Sequence, residues 1–268
     1  MANQTIKDVE MFWDEFSEEY SSYDSGSNVL FLSLANMLKV DKRDSVLEVG
    51  AGTGFLYNHI LNYKKQNARY VATDISDKML HIMSKRLKLE YKENQVNNYE
   101  NYNLTIQKAN AEQLPFEQES FDCLIGNLCL HITPDPVKML SESYRVLQKG
   151  GVAGFSVWGD DKGLYYYTLI PTVLKEMGQF VQQGRSYFHL NDRENLIKMM
   201  ENAGFTNIIC WNQFTPFHYI SEEEMKKVLG TYYSEEIKIK IIEKFNEQIK
   251  INKKPFGLDA LMIIGTKL

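Results

Sequence analysis

From residue 45 onward, short apolar runs alternate with longer stretches in which apolar positions recur every three or four residues. Val46, Leu47 and Val49 belong to the first run, over 45–49, and further runs cover 69–73, 104–107, 120–125 and 152–158. Runs this short read as buried strands. The stretches between them, about 54–64, Asp77 to about Glu90 and 136–147, read as helices, with Asp77 placed to cap the second and Pro134 and Pro136 marking the turn before the third. Strand alternating with helix predicts a largely parallel α/β sheet. Ahead of it, Val9, Phe12, Trp13, Phe16 and Tyr20 define an amphipathic helix over 8–23, and Leu30, Leu34 and Leu38 a second over 27–39. Residues 92–103, rich in Asn and Tyr and without apolar periodicity, read as a loop insertion.

After Gly159 the alternation loosens. Residues 160–190 are crowded with aromatics, among them Tyr165, Tyr166, Tyr167, Phe180, Tyr187 and Phe188. Asn191 and Asp192 open a helix that runs to Ala203, with Gly204 as its C-terminal glycine. Strands follow over 206–213 and 260–267, separated by a helical section at about 221–250. No internal repeat or separate linker is evident.

The first strand runs straight into Gly50-Ala51-Gly52-Thr53-Gly54, a turn with no side chain larger than Thr. Glycines there allow a tight turn and close approach of the backbone to a ligand. Phe55 makes the run GxGxG instead of the GxGxxG of dinucleotide enzymes. Glu48, two residues before the first glycine, would repel a pyrophosphate and suits a cationic ligand. Asp74 ends the second strand, placed to accept both hydroxyls of a ribose. In order after these come Ala109-Asn110-Ala111-Glu112-Gln113-Leu114-Pro115-Phe116, the strand Ser120–Ile125, and Arg145-Val146-Leu147-Gln148-Lys149-Gly150-Gly151.

These five motifs, in this order over roughly residues 10–158, resemble class I S-adenosylmethionine-dependent methyltransferases, closest to the small-molecule branch with the ubiquinone and menaquinone methyltransferases. The resemblance implies a Rossmann-like, mostly parallel sheet of seven strands with the last antiparallel, and helical cap insertions. It implies S-adenosylmethionine as cofactor and S-adenosylhomocysteine as product. The positions it assigns to the cofactor are Glu48, Gly50, Ala51, Gly52, Gly54, Asp74, Ile75, Asn110, Ala111, Glu112 and Asn127, with Tyr20 from an N-terminal helix that folds over as a lid. Asn110 stands where the family usually has Asp; its carbonyl still accepts a hydrogen bond from an adenine amino group, without the charge. Ser21 replaces the family's Asp after Tyr20. The last two strands often form a close hairpin in the family, so some 45 residues between them is a departure. The expected organisation is one domain over 1–268, with a helical lid (1–40), a cofactor-binding core (41–158) and cap insertions (159–190 and 214–258) over the substrate side.

Net charge is −5, and no dense basic run appears, which argues against tight sequence-independent nucleic-acid binding. Cys123, Cys129 and Cys210 are isolated, with no CxxC pair, which fits a reducing compartment and offers no metal site. The N-terminus lacks an apolar signal region, and no run approaches a membrane span, so a cytoplasmic protein is expected.

His131, just past the fourth strand, is the candidate general base, with a pocket-lining role as the plainer reading. Cys129 reads as packing. Tyr166, Tyr187 and Phe188 are the candidate acceptor-side residues. Asn127 is followed by Leu128 and Cys129 instead of Pro-Pro-Tyr, which lowers the expectation of planar amino nitrogens as acceptors. A small-molecule acceptor is the first expectation; a protein or RNA substrate, or a noncatalytic cofactor-binding protein of the same fold, are the alternatives. The oligomeric state and the acceptor's identity are not legible.

Overall fold

A computed structural model describes residues 4–23, 28–159, 165–179, 188–216, 221–230, 233–252 and 257–268. In chain order these form α1 (Ile6–Tyr23), α2 (Asn28–Met37), β1 (Ser45–Val49), α3 (Phe55–Ile60), β2 (Arg69–Asp74), α4 (Asp77–Arg86), β3 (Asn97–Tyr99), β4 (Leu104–Lys108), β5 (Phe121–Asn127), α5 (Pro136–Val146), β6 (Leu147–Trp158), α6 (Tyr165–Glu176), α7 (Arg193–Asn202), β7 (Thr206–Pro216), α8 (Glu222–Val228), α9 (Glu235–Asn252) and β8 (Gly257–Thr266). The strands make one sheet in the order β3-β4-β2-β1-β5-β6-β8-β7. β4, β2, β1, β5 and β6 are parallel, while β8 runs antiparallel between β6 and β7.

The expected seven strands are present, with an eighth added. β3 lies inside the stretch read as a loop and pairs antiparallel with β4, Asn98 opposite Thr105. A second correction concerns α4. Its cap is Ser76, whose hydroxyl accepts from Met79 N–H at 3.1 Å, because Asp77 is drawn instead to Lys108 at 2.9 Å and to the Tyr91 hydroxyl at 2.7 Å.

Alternation along the strands sorts the core into two layers. Val46, Tyr70, Ala72, Cys123 and Ile125 pack with Leu30 and Leu34 of α2, with Leu38 just after it, and with α3 and α4. Leu47, Val49, Val71, Leu124 and Phe155 face α5 and α7 through Met139, Leu140, Leu196 and Met200. Glu48 shares a face with Val46, so its carboxylate is carried into the first layer.

The segments after β6 and between β7 and β8 emerge from one edge of the sheet. β6 ends at Trp158 on the carboxyl edge of the parallel strands, and α6 follows. β7 and β8 pair to their ends, Pro216 opposite Gly257, so the chain between them, with α8 and α9, leaves and re-enters the hairpin at that same edge. α6, α8 and α9 share a small apolar core of their own: Leu169, Ile170, Val173, Met225, Leu229, Ile241 and Ile242.

Candidate functional site

The turn after β1 is held by Asp74. Its Oδ2 accepts from Gly52 N–H at 2.8 Å and its Oδ1 from Ser76 N–H at 2.9 Å. The carboxylate thus ties the end of β2 to the glycine loop while keeping lone pairs for a ligand. Burial pushes its ionisation up, against the pull of these N–H donors. Two of the glycines are needed for different reasons. Gly54 has φ +75°, and a Cβ there would come within 2.2 Å of Met83 Cγ, so α3 and α4 approach through it. Gly52 has φ +55°, yet a Cβ there would meet nothing within 4 Å. Its exposed side is open space of the kind a bound ligand fills.

That space consists of two adjoining cavities sharing Tyr20, Gly50, Gly52 and Asn127. One lobe is lined further by Asp74, Ile75, Met79, Asn110, Ala111 and Cys129, the other by Glu48, Ala51, Thr53, Phe31 and Phe55. Glu48 is only 3% exposed, and its Oε2 accepts from the Tyr70 hydroxyl at 2.8 Å. Burial pushes its pKa up to about 8, partly offset by Tyr70 and reinforced by the nearby Asp74. Tyr70 escaped the sequence reading; the signal was its place on the same sheet face as Glu48, one strand over.

Of the expected cofactor residues, the sheet gathers Tyr20, Glu48, Gly50, Ala51, Gly52, Asp74, Ile75, Asn110, Ala111 and Asn127 around these lobes. Gly54 and Glu112 line neither. Glu112 Oε1 is turned to the Thr133 hydroxyl at 2.6 Å and Asp135 N–H at 2.7 Å, joining the loops after β4 and β5. Asn110 Oδ1 accepts from Glu112 N–H at 2.9 Å, so one acceptor site of its carbonyl is used locally. His131 is 2% exposed, its ring 6.4 Å from that of Trp158, and it too lies outside the lining residues. Cys129, read as packing, does line the first lobe.

α1 covers the site. Ile6, Trp13 and Tyr20, seven residues apart and so on one helix face, all line the first lobe. The neighbouring face is fastened to the core: Glu10 to Lys108 at 2.6 Å, Asp14 to the Ser76 hydroxyl at 2.6 Å, and Ser21 to Arg86 at 3.2 Å. Arg86 also donates to Thr53 Oγ1 of the glycine loop at 3.3 Å. Ser21, where the family has Asp, thus accepts from an arginine bound to that loop. Of the acceptor-side candidates, Phe188 packs against the first core layer and lines neither cavity. Tyr166 lies in α6 with its side chain outside the described residues, and Tyr187 lies outside them altogether. Among the described residues no cluster of His, Cys, Asp and Glu is placed to hold a metal, and no helix is long and apolar enough to cross a membrane.

A sheet with this order, a glycine loop after β1 and an acid ending β2 define a class I methyltransferase. Residues 47–155 match the family model described as a methyltransferase domain. The ubiquinone/menaquinone biosynthesis C-methyltransferase UbiE of Klebsiella pneumoniae subsp. pneumoniae is 32% identical over 187 residues, 65% of this chain and 70% of the relative. A malonyl-[acyl-carrier protein] O-methyltransferase of Marinomonas sp. is 30% identical over 144 residues, 54% of this chain and 49% of that protein. Among solved structures, phosphoethanolamine N-methyltransferase 2 of Haemonchus contortus superposes with a TM-score of 0.64 at 14% identity, covering 98% of this chain and 60% of that one. The chain belongs to the class I S-adenosylmethionine-dependent methyltransferase family, and is an enzyme of that family resembling UbiE.

Proposed function

We propose that this enzyme moves a methyl group from S-adenosylmethionine to a small organic acceptor, within a site closed by α1 and flanked by the cap helices. The observation that carries this reading is the convergence of Asp74 and Asn110 on one side of Gly52 and of Glu48 on the other. The residues fit a cationic nucleoside: Asp74 keeps lone pairs for two ribose hydroxyls, Asn110 faces the base, and Glu48 sets a carboxyl group at the amino-acid end. The open space beside Gly52 lets the backbone approach the ligand. When bound, S-adenosylmethionine supplies a methyl group on a sulfonium sulfur, already activated for displacement. The protein's task is then chiefly orientation and exclusion of water, and Trp13 and Tyr20 of α1 provide the cover.

The acceptor is small in this reading because the lobes lie under α1, and α6, α8 and α9 leave the sheet at the same edge. The named relatives are, by their names, a C-methyltransferase of ubiquinone/menaquinone biosynthesis and an O-methyltransferase of malonyl-[acyl-carrier protein], and the first lends support to a small organic acceptor. Incubation with methyl-labelled cofactor and fractionated cell extract, with products sorted by size, tests the reading. Label in small molecules is the expected result. Label confined to protein or RNA would replace it with a macromolecular acceptor.

A further inference from the structure

The lobes beside Gly52 lie under α1, and the residues on their floor are little exposed: Glu48 3%, Asp74 8% and Asn127 9%. A nucleoside has to displace α1 to reach them, so whatever fastens α1 governs passage. Among the described residues α1 is fastened by polar groups at three points, each beside a different part of the site. Lys108, which holds Glu10, immediately precedes Ala109 and Asn110. Ser76, whose hydroxyl donates to Asp14, gives its N–H to Asp74. Arg86, the last residue of α4, donates to Ser21 with one nitrogen and to Thr53 of the glycine loop with the other. Glu10, Asp14 and Ser21 stand at i, i+4 and i+11, which is one stripe of the helix.

The three points differ in strength. Glu10 and Asp14 are carboxylates held at 2.6 Å, the short contacts of strong charge-assisted hydrogen bonds. Ser21 offers Arg86 only a neutral hydroxyl, at 3.2 Å. This weakest point adjoins Tyr20, which lines both lobes. Opening of the site therefore starts here.

We propose that the Arg86–Ser21 contact is the latch of the site: it sets how fast the cofactor enters and how fast its product leaves, with Arg86 acting as a positioning residue that ties α1 to the glycine loop. The inference rests on the methyl-transfer reading and deepens it. Neither Ser21 nor Arg86 lines the lobes, so the latch joins protein to protein whether a ligand is in or out. A ligand shifts an equilibrium only by its differential affinity for the two states. Altering the latch therefore changes entry and release together and leaves affinity nearly constant.

Ser21→Ala and Ser21→Asp move the latch in opposite directions. The first removes the acceptor, and the second offers Arg86 a carboxylate, the better partner for a guanidinium. Release of labelled S-adenosylhomocysteine into excess unlabelled ligand gives the off-rate, and calorimetry gives the affinity. Ser21→Ala should release faster than wild type and Ser21→Asp slower, each by about 3- to 10-fold, the worth of one hydrogen bond, with affinity changed far less. In an Arg86→Met background the two Ser21 variants should release alike. Independently of that background, high salt should shrink the slowing by Ser21→Asp, because the added contact is an ion pair at a half-buried site. Equal off-rates across the Ser21 series overturn the inference. So does slowing by Ser21→Asp that survives Arg86→Met or ignores salt, and so do rate changes matched by equal changes in affinity. Folded wild-type protein that binds no S-adenosylhomocysteine removes the methyl-transfer reading itself.

Discussion

The Tyr70 hydroxyl donates to Glu48 Oε2 at 2.8 Å with both side chains almost wholly shielded from water. Glu48 ionises at 4.5 when exposed and at about 8 in the folded chain, chiefly through burial. The unfolded chain therefore gives up this proton first, and its contribution lowers stability as pH rises from 4.5 to about 8. Glu48→Gln keeps an acceptor for Tyr70 without the charge. The unliganded variant should melt above wild type near pH 8 and lose that advantage near pH 5, read by thermal denaturation at both values. A variant that melts lower than wild type at the higher pH would contradict a buried, reluctantly ionised Glu48.

The glycine loop allows a paired comparison. Gly54→Ala meets Met83 Cγ at 2.2 Å and sits at φ +75°, so both packing and backbone are strained, and a loss of several degrees in melting temperature is expected. Gly52→Ala, at φ +55° with no neighbour within 4 Å, carries only the backbone cost of about 1–2 kcal/mol. It should fold, and its methyl should occupy space a cofactor needs, abolishing measurable binding. Normal S-adenosylhomocysteine affinity in folded Gly52→Ala would show that the ligand lies elsewhere.

Asp74→Ala removes the proposed ribose acceptor. Hydrogen bonds to a charged group contribute ~1.5–3 kcal/mol, so cofactor affinity should fall by about 10- to 150-fold in protein with an intact circular dichroism spectrum. Unchanged affinity would confine Asp74 to holding the Gly52 N–H.

His131 lies behind the cavity wall, against Trp158. A general base typically contributes about 100- to 10,000-fold. His131→Ala should lose less than that in turnover and instead lower the melting temperature by opening a hole beside Trp158. A thousandfold drop in turnover with unchanged cofactor affinity would make it the base.

The parallel core was legible because each of its strands is an apolar run broken by a helix of different period, and the glycine loop with Asp74 because backbone chemistry demands those residue types. β3 was not, since Asn97, Asn98 and Tyr99 form a short edge strand whose pairing with β4 comes from backbone hydrogen bonds, without an apolar signal. The Ser76 cap was hidden by Asp77, which looks the better cap until Lys108 and Tyr91 claim it from distant parts of the chain. The departure between the last two strands was visible in the sequence. That β7 and β8 still pair up to Pro216 and Gly257 around α8 and α9 was not. Glu112, assigned by motif to the cofactor, has its Oε1 bound to Thr133 and Asp135, partners a linear motif does not reveal.

The central claim is that the two lobes beside Gly52 hold a cationic nucleoside and not a dinucleotide. Calorimetric titration of the purified chain with S-adenosylmethionine, S-adenosylhomocysteine and NAD tests it most directly. The account predicts saturable binding of the first two and none of NAD, because no Lys or Arg among the described residues lines the lobes to meet a pyrophosphate. Comparable binding of NAD, or no binding of S-adenosylhomocysteine by folded protein, would contradict it.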